Sequence, residues 1–296
     1  PFLAVYNVYS AALRGLGDSR APFFAVLISS VVNVVLDILL VAVLGWNVTG
    51  AAIATVASQI AMTVYLILYG SRKYALLCIH IKDGLFDRAV LIAGLRLGLP
   101  PTVQSCVNAF GNLILQNFMN GFGSQTVAAI TTAYRVDSIV ILPILNLGSG
   151  ISTLTAQSYG AGDSARSRRI LAVGTVLMTG VSLLMTFLVI PMGRHLIALF
   201  GASAATVEIG RDFFRHFAVF YIFYGLANAI RGHIEGIGDV VYSSMAGIAA
   251  LLCRIFISYT CVSLFGTTVI AYAEGFSWIL LMLLFLFRFL WKFPVK

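Results

Sequence analysis

Apolar residues run through this chain in blocks of about twenty, each bounded by Gly, Asp, Asn or basic residues, and that length is what a helix needs to cross a bilayer. The block 22–45 covers about 34 Å at helical rise, one crossing. The same pattern predicts crossings at 50–70, 101–121, 125–158, 167–190, 208–230, 240–264 and 268–290. The opening run 2–13 is too short to span and reads as the tail of a helix that begins upstream. Block 125–158 is too long for a straight crossing, and Pro143, Gly148 and Gly150 are its candidate bends, tolerated where neighbouring helices take over freed backbone groups. The connection 71–88 carries Arg72, Lys73, Lys82 and Arg88. Its continuation through Arg96 is expected at the membrane surface, with Pro100-Pro101 opening the next crossing.

Composition turns this pattern into a class. With 60% hydrophobic and 10% charged residues, and a mean hydropathy of +0.97, the chain is too apolar for a soluble domain of 296 residues. The expected fold is all-α and polytopic. A net charge of +8 raises nucleic acid as a partner, but the basic residues cluster in short gaps and form no continuous face, so none is expected. They sort by loop instead. Alternate connections place Arg14, Arg20, Arg72, Lys73, Lys82, Arg88, Arg96, Arg166, Arg168, Arg169, Arg231, Arg288, Lys292 and Lys296 on one side, and Arg194, Arg211 and Arg215 on the other. The first side is therefore expected to be cytoplasmic, and the C-terminus with it, in a cell inner membrane. Cys78, Cys106, Cys253 and Cys261 show no C-x-x-C spacing, and His80, His195, His216 and His233 are scattered, so neither a disulfide framework nor a zinc site is indicated. The chain starts at Pro1 inside an apolar run, without Met or a signal peptide, which reads as a fragment.

One crossing carries a charge. Asp37 lies within the block 22–45, where a carboxylate costs roughly 2.5–3.5 kcal/mol on insertion scales and is kept where it faces a cavity, an ion or a partner. Asn33 stands four residues earlier, on the same helix face. Asp37 precedes Gly45 by eight residues and Thr55 follows Gly50 by five, so in a helical hairpin they reach similar depths, about 12 and 8 Å from the shared end. A carboxylate, an amide oxygen and a hydroxyl at one depth suit a hard cation such as Na⁺, or a proton exchanging with it. Joining two packed helices by hydrogen bonds is the plainer role for the same residues.

An internal repeat underlies the chain. Gly15-Leu16-Gly17-Asp18 recurs as Gly236-Ile237-Gly238-Asp239, and the offset of 221 also pairs Asn7 with Asn228 and Gly45 with Gly266. Two related bundles about a central site is a transporter plan. The glycine turns lack the G-x-G-x-x-G spacing and a preceding strand, so they are not phosphate loops. Asn47-Val48-Thr49 is formally a glycosylation acceptor but reads as a turn.

The chain resembles the multidrug and toxic compound extrusion family of secondary antiporters. The resemblance rests on the Gly-x-Gly-Asp turns, on Gly50-Ala51-Ala52-Ile53-Ala54-Thr55, on Val127-Ala128-Ala129, and on Gln157-Ser158-Tyr159-Gly160-Ala161-Gly162-Asp163. It implies two pseudo-symmetric six-helix bundles with the first truncated. Residues 1–71 would hold the end of helix four with helices five and six, 72–99 a cytoplasmic or interfacial linker, and 100–296 helices seven to twelve. It also implies a cation or proton site at Asn33, Asp37 and Thr55, completed by an acid on an absent first helix. At the repeat offset, Asn33, Asp37 and Thr55 become Arg254, Ser258 and Phe276, so that site is not duplicated. Some members carry a functional acid on helix seven, but 101–121 offers only Gln104, Asn108, Asn112, Gln116 and Asn117, so no coupling acid is expected there.

Other intramembrane polar residues are candidates for ion pairing within the second bundle or for a substrate cavity: Gln116, Asn117, Tyr134, Arg135, Asp137, Arg254 and Glu274. Arg135 and Asp137, two residues apart, do not share a helix face and must find different partners. The expected function is export of organic, often cationic and amphipathic, compounds in exchange for inward H⁺ or Na⁺, by a monomer using no cofactor beyond the coupling ion. A flippase for a lipid-linked precursor is the runner-up and would call for a strongly cationic cavity. A membrane enzyme would need a nucleophile with its base, or metal ligands, within the crossings, and no such set is present; a channel would not require paired bundles.

Overall fold

The computed structural model describes residues 1–78, 87–201 and 203–292. His80, Lys82 and Lys296 lie outside them. The described residues are helical throughout, and eight helical stretches are long and apolar enough to cross a membrane. They fall into two units, 1–87 and 88–296.

The first unit comprises α1 (Phe2–Gly15), α2 (Arg20–Asp37) and α3 (Asn47–Lys73). Leu13, Ala21, Ala25, Met62 and Leu66 form its core under a cover of tyrosines, among them Tyr9, Tyr65 and Tyr69. The second unit comprises α4 (Arg88–Asn120), α5 (Ser124–Val140), α6 (Leu142–Gly160), α7 (Ser164–Ala198), α8 (Ala204–Phe217), α9 (Tyr221–Gly236), α10 (Val240–Thr260), the short α11 (Val262–Phe265) and α12 (Val269–Lys292). Phe213, Phe214, Phe217, Phe220, Tyr221 and Trp278 dominate its largest core cluster.

Three boundaries differ from the sequence pattern. Helix α4 begins at Arg88 and passes through Pro100-Pro101, so the prolines do not start the helix and the stretch 88–99 leading to them is itself helical. Two missing N–H donors do not stop a helix whose flanking turns are intact, and Thr102 gives its hydroxyl to Gly98 O at 2.8 Å. The block 125–158 breaks at Ile141, just before Pro143, while Gly148 and Gly150 sit inside the regular helix α6. Gly148 serves helix packing instead of a bend. A Cβ on Gly232 of α9 would collide with its carbonyl, so two glycines let α6 and α9 cross in close contact. Finally, the block 208–230 is interrupted by a 3₁₀ turn at Ala218–Phe220. Before the turn, α8 buries Val207, Phe213, Phe214 and Phe217, while Glu208 binds Arg211 at 2.9 Å.

The Gly-x-Gly-Asp turns close the same way at three places. Gly17, Gly162 and Gly238 have φ of 88°, 73° and 85°, a region glycine enters without a Cβ penalty. The following aspartate N–H then reaches back to Leu13 O (2.9 Å), Ser158 O (2.9 Å) and Ile234 O (3.1 Å), capping the helix just ended. Two of the aspartates also anchor a later helix. Asp18 takes Lys73 Nζ and Tyr69 OH at 2.8 Å each and Tyr74 OH at 3.0 Å. Asp239 takes Arg288 Nη2 at 2.8 Å and Lys292 Nζ at 3.2 Å. The Lys73 ammonium, helped by Tyr69, Ala21 N–H and Tyr74, holds the Asp18 carboxyl far below the usual carboxylate range against the opposing effect of burial.

Candidate functional site

Asn33 and Asp37 are both half-buried on α2, four residues apart. The helix changes pitch directly after Asp37. Ile38–Val43 is π-helical, with Leu44 N–H reaching Leu39 O at 3.0 Å, and such insertions recur at functional sites. Helix α3 meets this segment closely, because a Cβ on Gly50 would lie 3.1 Å from the Leu40 backbone. Oxygen Oδ1 of Asp37 is shut off from solvent with no hydrogen-bond partner. No ion pair to Asp37 forms among the described residues. A carboxylate oxygen in that state is costly unless a proton or cation reaches it. Thr55 on α3 is exposed and donates its hydroxyl to Ala51 O at 2.9 Å, so its oxygen keeps acceptor capacity.

In the second unit the candidates divide. Arg254 on α10 gives Nη1 to Glu274 Oε1 on α12 at 3.0 Å and Nη2 to Tyr134 OH on α5 at 2.9 Å. Asp137, one turn beyond Tyr134, accepts the Tyr221 hydroxyl of α9 at 2.6 Å. Arg254–Glu274 is thus an ion pair inside the bundle, whereas Arg135 is exposed and joins no ion pair among the described residues. Asn117 is exposed, and half-buried Gln116 bonds Asn120 Oδ1 at 3.3 Å.

A polar cavity of about 240 Å³ has Arg254 in its lining. Its wall includes Gln104, Asn108, Asn112, Arg231, Ser277 and Trp278. Gln104, Asn108 and Asn112 step along α4 at i, i+4, i+8, so that spacing was the signal that marks a polar stripe on one helix face. Neither Gln116 nor Asn117 lines this cavity. Gly247 makes room for the Gln104 amide, which a Cβ there would strike. Arg231 is held by Glu235 at 2.7 Å.

The structure also corrects the repeat register. The buried positions on α3 include Gly50, Ala54, Ser58, Met62 and Leu66; those on α12 include Val269, Ala273, Ser277, Leu281 and Phe285. These match at an offset of 219, as do the anchors Tyr69 with Arg288 and Lys73 with Lys292. The connection from Gly45 to Gly50 is two residues longer than that from Gly266 to Val269, which moves the register from 221 to 219. Thr55 therefore corresponds to Glu274, not to Phe276. Asn33, before the connection, still corresponds to Arg254. The positions that carry neutral oxygens in the first unit carry the bonded ion pair in the second.

Comparison with known proteins gives the context. The family pattern described as MatE matches residues 100–260. The chain is 28% identical over 308 residues to the probable multidrug resistance protein YoeA of Bacillus subtilis (strain 168), covering 99% of this chain and 66% of YoeA. It is 23% identical to the multidrug export protein MepA of Staphylococcus saprophyticus over 92% of this chain and 60% of MepA. The chain thus spans less than two thirds of the length of these curated relatives. Among solved structures, a crystal structure of MATE in the bent conformation superposes with a TM-score of 0.87 at 22% identity, over 98% of this chain and 64% of that one. An outward-facing multidrug resistance MATE family transporter gives a TM-score of 0.83 at 23% identity, over 97% and 64%.

Proposed function

The chain belongs to the MatE family, and from that premise we propose that it is the larger part of a secondary exporter of organic, amphipathic compounds, driven by inward H⁺ or Na⁺ at Asp37. The observation that carries this reading is the solvent-shielded, unpartnered Asp37 Oδ1 at the entrance to a π-helical segment. Asn33 on the same helix and Thr55 on the next are the oxygen donors nearest in register. The second unit supports the pairing indirectly, because Arg254 and Glu274, the counterparts of Asn33 and Thr55, are in contact at 3.0 Å. Protonation and cation binding compete for one carboxylate, and either shifts the helix pair between two arrangements, so an inward gradient can drive outward export.

In this reading the protein is a bacterial inner-membrane protein with a cytoplasmic C-terminus, as the bias of basic loops implies. Its substrates are drug-like small molecules, as the names of YoeA and MepA suggest. The flippase reading draws on Arg231 and Arg254 lining the polar cavity, but each is already bonded to a glutamate, which leaves less cationic character than an anionic headgroup calls for.

The test uses the full-length protein in proteoliposomes with imposed H⁺ or Na⁺ gradients. Asp37→Asn is expected to reduce gradient-driven export to the level of empty vesicles at unchanged membrane insertion. Undiminished export by that variant would refute the assignment.

A further inference from the structure

Helices α6 and α7 form a hairpin about the turn at 161–163, and a groove of about 500 Å³ runs between them. Leu147, Gly150 and Leu154 line it from α6, and Ile170, Val173 and Leu177 from α7. Each set recurs at three- and four-residue steps, so each occupies one helix face. The helices touch at the bottom of the groove, where a Cβ on Gly174 would strike Ile151. A Cβ on Gly150 would meet nothing within 4 Å, so the missing side chain keeps the space open. Leu154, Val173 and Leu177 are exposed.

The groove is apolar along its length and basic at one end. Arg166 and Arg169, three residues apart on α7, line that end and are exposed. Neither joins an ion pair among the described residues. The nearest acid along the chain, Asp163, caps α7 by accepting the Arg166 backbone N–H at 2.8 Å. Arg166 stands just before the apolar block 167–190 and Leu177 near its middle. The eleven residues between these positions rise about 16 Å, close to half of a hydrocarbon core of about 30 Å. The groove therefore has the length of one leaflet, with its two cations at headgroup depth.

We propose that this groove holds one anionic phospholipid from the leaflet at its basic end, with the phosphate between Arg166 and Arg169 and an acyl chain laid along α6 and α7. Guanidinium forks match phosphate oxygens in pairs, and their charge favours a headgroup with net negative charge over a zwitterionic one. The chain contributes fit and little driving force, because a lipid tail is as well solvated in the bilayer as against leucine. Selectivity then lies in the two arginines and depth of seating in the apolar walls. The same charges repel a cationic compound, which sets the groove apart from an export path for one. The site is independent of Asp37 and of which way the protein inserts.

The experiment titrates purified, delipidated full-length protein with phosphatidylglycerol or phosphatidylcholine of identical chains, read by native mass spectrometry. One phosphatidylglycerol is expected to bind at a lower concentration than any phosphatidylcholine. Arg166→Ala and Arg169→Ala should each raise that midpoint about fivefold, the effect of losing one basic residue at an anionic surface. Arg168→Ala removes the same charge from the same turn but does not line the groove, and should leave the midpoint in place. Gly150→Phe fills the groove and should abolish the tight binding with both arginines present. Where it does not fold, Val173→Trp on the facing wall is expected to do the same. Equal binding of the two lipids, an Arg168→Ala effect as large as that of Arg166→Ala, or binding untouched by the groove-filling variants would overturn the proposal. So would displacement by inorganic phosphate at the lipid's own concentration, or no bound lipid in the wild type because another segment of the full-length protein fills the groove.

Discussion

At the scale of the residue, the charges inside this protein are settled by their partners. Arg254 and Glu274 are each mostly buried, with side chains 17% and 11% exposed, and they meet at 3.0 Å. Removing one partner strands the other, a loss of about 3–5 kcal/mol for a buried pair. Arg254→Ala should therefore lower the unfolding midpoint in detergent more than the double change Arg254→Ala with Glu274→Ala, a non-additive pattern that thermal melts of the three variants would show. The sequence marked both residues as intramembrane charges but could not pair them, since 19 residues, the helix connection among them, lie between them. It also placed Asn33 and Asp37 on one face, because i, i+4 spacing is a local property. That Thr55 turns its hydroxyl to Ala51, and that Asp37 sits at a change of helix pitch, depends on packing around them.

At the scale of the element, apolar run length picked out the eight helical stretches among the described residues that are long and apolar enough to cross a membrane, while the interruptions were only partly legible. Pro143 breaks its helix as a missing donor should, yet Pro100 and Pro101 do not, and nothing in the local sequence separates the two cases. Glycines divide likewise. A Cβ on Gly232 would meet the carbonyl of Gly148, backbone that cannot swing aside, whereas one on Gly150 meets nothing within 4 Å. Gly232→Ala is expected to cost about 1–3 kcal/mol by overpacking the α6–α9 crossing. Gly150→Ala should be neutral or gain up to about 1 kcal/mol from helix propensity, and the difference between the two melting midpoints checks both.

At the scale of the whole molecule, one joint is built twice. In each unit an aspartate ends a helix turn and ties down a basic side chain near the end of a later helix, α3 or α12: Asp18 with Lys73, and Asp239 with Arg288 and Lys292. Because Asp18 is held below its ordinary value by Lys73 first, the stabilisation it gives is complete at neutral pH. It should fade as pH falls below about 4, the ordinary range for an aspartate, toward the lower folded value. Acid titration of the melting midpoint should show this slope in the wild type and a shallower one in Asp18→Asn. These joints also reveal the 219 offset. Matching letters gave 221 because the identities lie before the shortened connection; the burial pattern and anchors lie beyond it.

By itself the sequence determined the properties set by neighbours along one chain: which segments are apolar for about twenty residues, where glycine permits a left-handed turn, which face carries Asn33 and Asp37, and that the chain is duplicated. Those properties need only helical periodicity and composition. The tertiary structure decided the partners: Tyr221 for Asp137, Glu274 for Arg254, a cavity walled by Gln104, Asn108 and Asn112, and the true counterpart of Thr55. Such pairings join residues on different helices, and their energies depend on distance and burial, which exist only once the helices have packed.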